Sequence, residues 1–292
     1  MEIALLIDDI SYYKGANIES YKLSWGSKNN RVFKSIEKAL LYVGDIKISY
    51  LYFGNEFCEY RIPTVDELKK FLELCDKEKI KPILVTPPVT DKGVRQINTL
   101  IEYMVEKNVC IDIAVNDYGV LELLNEKHID NRIIAGRILD KTSHDSRATS
   151  ERINRYYGRA GLMIARTPGI VSRQTKKIFN EYAIDRWEFD LPKVGLDLPE
   201  GINKSLYWPY SYLTTGRVCS MRAIGLEGKY RYLVGSDKCK QICRWIQIEK
   251  HKPLNGYNNE SDLVLFQRGN TIFYLYDGEN EFENFDRLIL QL

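Results

Sequence analysis

At 292 residues the chain is long enough for one barrel-sized domain or two ordinary ones. Lys plus Arg number 42 against 40 Asp plus Glu, a net charge of +2, which excludes a strongly basic nucleic-acid binder but leaves room for a local patch. No apolar run approaches the length of a membrane span. MEIALLIDDI carries two acids straight after its apolar stretch and does not read as an export signal. The expected compartment is the cytoplasm, where six cysteines suggest metal ligands, catalytic groups or buried thiols rather than disulfides.

In chain order, 47–54 (KISYLYFG) is β-branched and aromatic and ends on a glycine, as a strand does. Pro63-Thr64 opens a helical stretch to about Lys79, with Leu68, Phe71, Leu72 and Cys75 spaced for one apolar face. KPILVT (81–86) reads as a buried strand stopped by two prolines, 94–108 as a helix, 110–115 (CIDIAV) as a strand and 120–127 as a helix. A short strand is expected over 132–135, a helix over 150–157, a strand over 162–164, a helix over 175–182 and an extended stretch over 186–189. Strands separated by helices imply parallel pairing with right-handed crossovers. The dinucleotide-binding glycine fingerprint is missing, so the pattern fits a TIM-barrel-like (β/α) barrel over 1–213 better than an open sheet. Residues 214–292 then form a small β-rich, cysteine-bearing appendage packed on the barrel; its stretches 263–266 and 271–276, joined by Arg268-Gly269-Asn270, read as a hairpin.

The three histidines, His128, His144 and His251, form no two-His motif and are expected on the surface or in loops; no nucleophile elbow or P-loop is present. The cysteines say more. Cys239 and Cys243 stand at i and i+4, so on a helix their thiols would share one side. Cys219 follows TTGRV, and Arg217, Arg222, Lys238 and Arg244 nearby favour thiolates. Cys75 lies on the apolar face of its helix, and Cys110 begins a strand at the barrel's bottom. Cys58, just past a strand end in GNEFCEYR, stands where barrel sites assemble. Cys58, Cys219, Cys239 and Cys243 are therefore the four-thiolate candidate, with four unlinked buried thiols as the bland alternative. Such a set could hold zinc or an iron–sulfur cluster, and one close pair with scattered partners in basic surroundings leans toward a [4Fe-4S] cluster.

YFGNEFCEYR, AVNDYGVLELL, WPYSYLTTGRVCSMR and the late C-x-x-x-C together resemble the collagenase-like peptidase family (U class, number 32), most closely short members of its UbiU/UbiV branch. The resemblance runs from about residue 45 to 275. It implies a barrel-like fold, with Glu56, Cys58 and Arg61 matching the branch's acid–cysteine–arginine pattern and Cys219, Cys239 and Cys243 its later cluster ligands. It further implies a part in oxygen-independent hydroxylation, of a ubiquinone precursor or of RNA bases, with prephenate as oxygen source, in a heterodimer with a homologous partner. The chain departs from longer members at Glu188-Phe189, which runs into Asp190-Leu191-Pro192 where they carry a cysteine-bearing block. This weakens the peptidase alternative that the family name suggests; a non-catalytic partner stabilising a catalytic homologue is the other alternative.

A cluster bound by four thiolates offers substrate no open iron, so its task would be electron transfer or support. The substrate pocket, for a small molecule more than for RNA, is expected at the C-terminal barrel edge. Candidates there are Asn116, Asp117, Arg137, Glu188 and Tyr210 with Thr214; Arg137 or Arg217 could fork onto a carboxylate. Asn116-Asp117 could equally cap a helix, Glu188 serve in an ion pair and Tyr210 fill the core.

Overall fold

The computed structural model describes residues 1–25, 31–44, 47–127, 131–144, 151–224, 226–228, 239–250, 265–276 and 282–291. Eight parallel strands close into a barrel: β1 (Glu2–Ile7), β2 (Ile48–Gly54), β3 (Lys81–Thr86), β4 (Asp112–Val115), β5 (Ile133–Ala135), β6 (Arg186–Phe189), β7 (Asn203–Trp208) and, at the end of the chain, β12 (Arg287–Gln291). The last strand fits between β1 and β7, with Leu288 beside Ile3 and Leu206. Helices α1 (Arg31–Val43), α2 (Val65–Glu78), α3 (Asp91–Glu106) and α4 (Tyr118–Glu126) each follow one of the first four strands, and α5 (Glu151–Arg166) and α6 (Arg173–Glu181) lie between β5 and β6. Expected strands and helices fall within a few residues of their observed bounds, with two exceptions. The helix expected over 150–157 continues to Arg166 past a break at Gly158, which has φ +60° and ψ −177°. Residues 162–164, expected as a strand, belong to α5, where Met163 and Ile164 stand exposed rather than in a sheet. A three-residue apolar run does not by itself separate strand from helix.

The strands read as nearly continuous apolar runs because both their faces are buried, one inside the barrel and one under the helices. Ala4, Tyr50, Tyr52, Ile83, Val85, Ala114, Ile134, Tyr207 and Ile289 pack together as the barrel interior. The opposite faces join the helices, as where Phe53 stacks on Phe71 of α2 at 4.7 Å between ring centres. Helix α2 begins where its sequence says: Thr64 and Glu67 form a reciprocal capping box.

Between β7 and β12 the chain builds a second sheet of four antiparallel strands, β8 (Tyr210–Thr215), β9 (Ile248–Lys250), β10 (Leu265–Arg268) and β11 (Thr271–Leu275), in the order β8-β11-β10-β9. The expected hairpin is β10–β11, turning at Gly269 with φ +63°. The division expected at 213/214 shifts at both ends. The small sheet already starts at Tyr210, and the chain's final strand belongs to the barrel, so the appendage is an insertion between two barrel strands. Among the described residues no helix is long and apolar enough to cross a membrane.

Candidate functional site

The C-terminal ends of the barrel strands deliver the polar residues, as they do in barrels generally. Strand β2 ends at Gly54 with φ +128°, where a Cβ would run into the Val85 carbonyl oxygen. Only glycine fits, and the turn it permits leads straight into Asn55–Arg61. Asn55 Oδ1 accepts the Phe57 and Cys58 backbone N–H groups at 3.0 and 2.9 Å, fixing the loop that carries the first cysteine.

That loop meets the inserted segment. Cys58, Cys219, Cys239 and Cys243 all line one cavity of about 220 Å³, together with Arg217 and Arg222. Cys243 is buried and the other three are half-buried. The segment is clamped to the barrel mouth by charge: Asp8, just past β1, pairs with Arg61 at 2.5 Å and Arg268 at 3.3 Å, and Asp9 pairs with Arg244 at 2.9 Å. Tyr12 donates to the Arg244 carbonyl, and Asn270 Nδ2 donates to the carbonyls of Phe57 and Gly216. The two acids after the first apolar stretch thus hold down the basic, cysteine-bearing chain. Cys239 and Cys243 do not ride one α-helix. Gln241 between them is left-handed (φ +49°), and a 3-10 turn spans Ile242–Arg244, so the cavity rather than a helix face gathers the pair.

Burial pushes the Cys58 thiol up to about 12, and the thiols of Cys243, Cys239 and Cys219 push the same way. Burial also raises Cys219 and Cys243; Arg222 opposes it at the first and Arg61 at the second. Four crowded thiols cannot all ionise unless a positive centre joins them. Four thiols are the donor type that thiolate-bound inorganic centres use. Glu59, the carboxylate beside Cys58, is engaged elsewhere, accepting from the Thr90 N–H and hydroxyl, both at 2.8 Å. Among the described residues no group of three or more His, Cys, Asp or Glu is placed to hold a metal ion.

A second cavity, of about 390 Å³, opens at the barrel mouth between the ends of β1, β2 and β12 and the β10–β11 turn. Its walls mix apolar Leu6, Ile7 and Phe273 with charged Lys14, Glu56 and Arg268. Phe57, Cys58, Arg61, Cys243, Gly269 and Asn270 line both cavities, so the mouth and the cysteine cavity share one wall.

The remaining sequence candidates take other places. Arg137, past β5, is fully buried, and both sides of its guanidinium are taken: Nε and Nη2 each donate to Glu56 at 2.8 Å, and Nη1 donates to Asp190 at 3.0 Å and the Tyr210 carbonyl at 3.2 Å. Its plane lies 4.1 Å from the Tyr207 ring centre. Burial alone would lower its pKa, but the Glu56 and Asp190 charges outweigh that and keep it cationic. It is committed to the protein's own carboxylates, not open to a substrate's. Asn116 is buried, donating to the Thr86 carbonyl and accepting from the Ile138 N–H. Asp117 caps α4 through the Gly119 N–H and also accepts from Val89 N–H. Both hold the scaffold. Tyr210 packs edge-on against Phe266, and burial raises its hydroxyl to about 12. Thr214 lies in β8 opposite Ile272, and Arg217 donates to the Val89 carbonyl at 3.3 Å on the wall of the cysteine cavity. Glu188 points into the barrel, where Tyr207 donates to it at 2.8 Å.

Sequence reasoning missed the rest of this interior cluster. His144 sits in a loop as expected, but its side chain is buried, 3.7 Å from Asp190 and packed on the Tyr212 ring at 3.9 Å between centres. His128 and His251 lie outside the described residues. Burial raises Asp140 to about 8 and Glu188 to about 7, the charges of Asp190 and Glu56 respectively adding to it. Both acids hold a proton in the folded state that the unfolded chain gives up near pH 4. Stability from these two is complete below that pH and falls as pH rises through about 7 and 8, with a slope of up to about 1.4 kcal/mol per pH unit for each group. Urea midpoints should drop from pH 5 to 8.5, and Asp140→Asn should flatten the drop; a profile rising across this window, or one that the variant leaves unchanged, would contradict the assignment.

Comparison with protein-family models, with curated proteins and with solved structures found no match for this chain.

Proposed function

We propose that this protein carries an iron–sulfur cluster, a [4Fe-4S] centre held by Cys58, Cys219, Cys239 and Cys243, and takes part in oxygen-independent hydroxylation of a small organic molecule together with a homologous partner chain. The observation that carries this reading is the shared wall: four cysteines drawn from both ends of the chain line one cavity, and two of them also line the barrel-mouth pocket. The likeness of the cysteine-bearing motifs to the UbiU/UbiV branch supports the same ligand set and the reaction class.

A bound cluster of this kind supplies one-electron chemistry. The chain's own residues do the remainder. Arg61 and Arg222 favour the thiolate forms beside them. Asp8 and Asp9 anchor the cysteine segment. Leu6, Ile7 and Phe273 give the pocket apolar lining, and Lys14 and Arg268 give it charged lining. Glu56, on the pocket wall, is held by two hydrogen bonds from Arg137. With zinc, the same sulfurs would have to draw in to about 2.3 Å from one point.

Anaerobic purification followed by iron, sulfide and zinc analysis tests the proposal. Iron and sulfide in matching amounts, with visible absorbance from thiolate-ligated iron, are expected. One zinc per chain without sulfide would overturn the redox role.

A further inference from the structure

Helix α5 stands apart from the other helices of the barrel. Each of α1–α4 and α6 buries apolar residues in the core, whereas none of residues 155–166 in α5 is buried. Its large apolar side chains stand in solvent instead: Tyr156 is 85% exposed, Met163 61% and Ile164 70%. Past the break at Gly158, residues 159–166 form one helical piece, and on a helix positions three and four apart are neighbours. Arg159 beside Met163, and Ala160 beside both Met163 and Ile164, therefore share its exposed side, while the half-buried Gly161, Leu162 and Ala165 make up the other. Charge follows the same segment. From 155 to 180 the chain holds Arg155, Arg159, Arg166, Arg173, Lys176 and Lys177, and no Asp or Glu before Glu181. All six cations are exposed. Arg166 pairs with Asp197, but Arg159, Arg173, Lys176 and Lys177 make no ion pair among the described residues.

We propose that the exposed side of α5 seats this protein on the surface of an anionic phospholipid bilayer, with the helix lying in the headgroup layer. The interleaving of charge and apolar surface selects this occupant. Arg159 stands one turn from Met163, so a guanidinium reaches lipid phosphate while the methionine and Ile164 enter the acyl boundary. Tyr156 carries the amphipathic ring that is enriched at that boundary. The acid-free run to residue 180 adds positive potential, which draws the helix to anionic headgroups and repels nothing there. The core of a protein interface, by contrast, is depleted of charge, and single-stranded nucleic acid takes flat rings to stack on, which Met163 and Ile164 do not supply. The proposal is independent of the cysteine site.

Co-sedimentation of the full-length protein with vesicles of mixed phosphatidylcholine and phosphatidylglycerol, beside vesicles of phosphatidylcholine alone, tests the surface. The anionic vesicles should carry the protein down, the bound fraction should fall steeply as salt rises, and phosphatidylcholine alone should retain little. Arg159→Glu and Ile164→Ser should each weaken binding about tenfold. Both side chains are exposed, so both variants should keep the fold, read by circular dichroism. Lys38→Glu and Leu41→Ser are the matched controls. They change exposed residues of α1, which follows β1 on the side of the barrel opposite β5, and binding should be unchanged. Protein that stays in solution beside anionic vesicles, or sediments with them equally well in both α5 variants, would overturn the proposal. Self-association that Ile164→Ser abolishes, with no vesicle binding, would overturn it in favour of an interface between copies. Binding of a single-stranded RNA oligonucleotide that Arg159→Glu abolishes, again with no vesicle binding, would overturn it in favour of nucleic acid.

Discussion

Arg137→Met should be among the most damaging single substitutions in this protein, lowering stability by about 3–5 kcal/mol, the range for removing one partner from a buried ion pair. The guanidinium answers Glu56 through two hydrogen bonds and Asp190 through a third, and all three residues are at most 2% exposed. Without it, two carboxylates remain in the barrel with Asp140 and Glu188 near them, and their charge has no cationic partner of comparable reach. Methionine fills much of the volume, so the loss reads out charge rather than a cavity. Urea denaturation at neutral pH measures it. Adding Glu56→Gln to Arg137→Met should cost less than the two single losses combined, because the second change removes the charge that the first left stranded. A single-variant loss below about 1 kcal/mol would show that water reaches the network and that the barrel mouth is wetter than its burial implies.

Cys58→Ser should remove most of the bound iron and sulfide, and with them the visible absorbance. The substitution replaces a sulfur by a harder oxygen at the one proposed ligand that comes from the barrel itself, so it would sever the proposed cluster from the β2 loop while leaving Asn55, which fixes that loop, in place. The control is equally specific. Cys75 is a buried residue of the α2 face and Cys110 an exposed one just before β4; replacing either by alanine should leave iron content unchanged. Iron retained in full by Cys58→Ser, measured anaerobically with the folded state checked by circular dichroism, would remove Cys58 from the ligand set and with it the joint wall between cluster and pocket.

Much of the scaffold was legible because its signals are local. KPILVT is a strand through its unbroken apolar run and its proline stop, and the α2 start is written in Thr64 and Glu67. Cys58 could be singled out because it follows a strand end, and strand ends are where barrel sites form. Leu162–Ile164 failed for the opposite reason, a run too short to carry a period. The closing strand 287–291 gave little warning, since its partners Ile3 and Leu206 lie some 285 and 82 residues away.

By itself the sequence determined the alternation of strands and helices, hence the barrel, and it picked out four cysteines that line one cavity; periodicity, caps and composition act over a few residues and need no distant partner. Only the tertiary structure decided that Arg137 serves Glu56 and Asp190 rather than a substrate, that His144 is buried against Asp190, and that the cysteine-bearing sheet is an insertion before the strand that closes the barrel. Each of these depends on groups meeting through space from remote points of the chain. Their energies come from desolvation and charge pairing in the packed interior, and no window of neighbouring residues contains them.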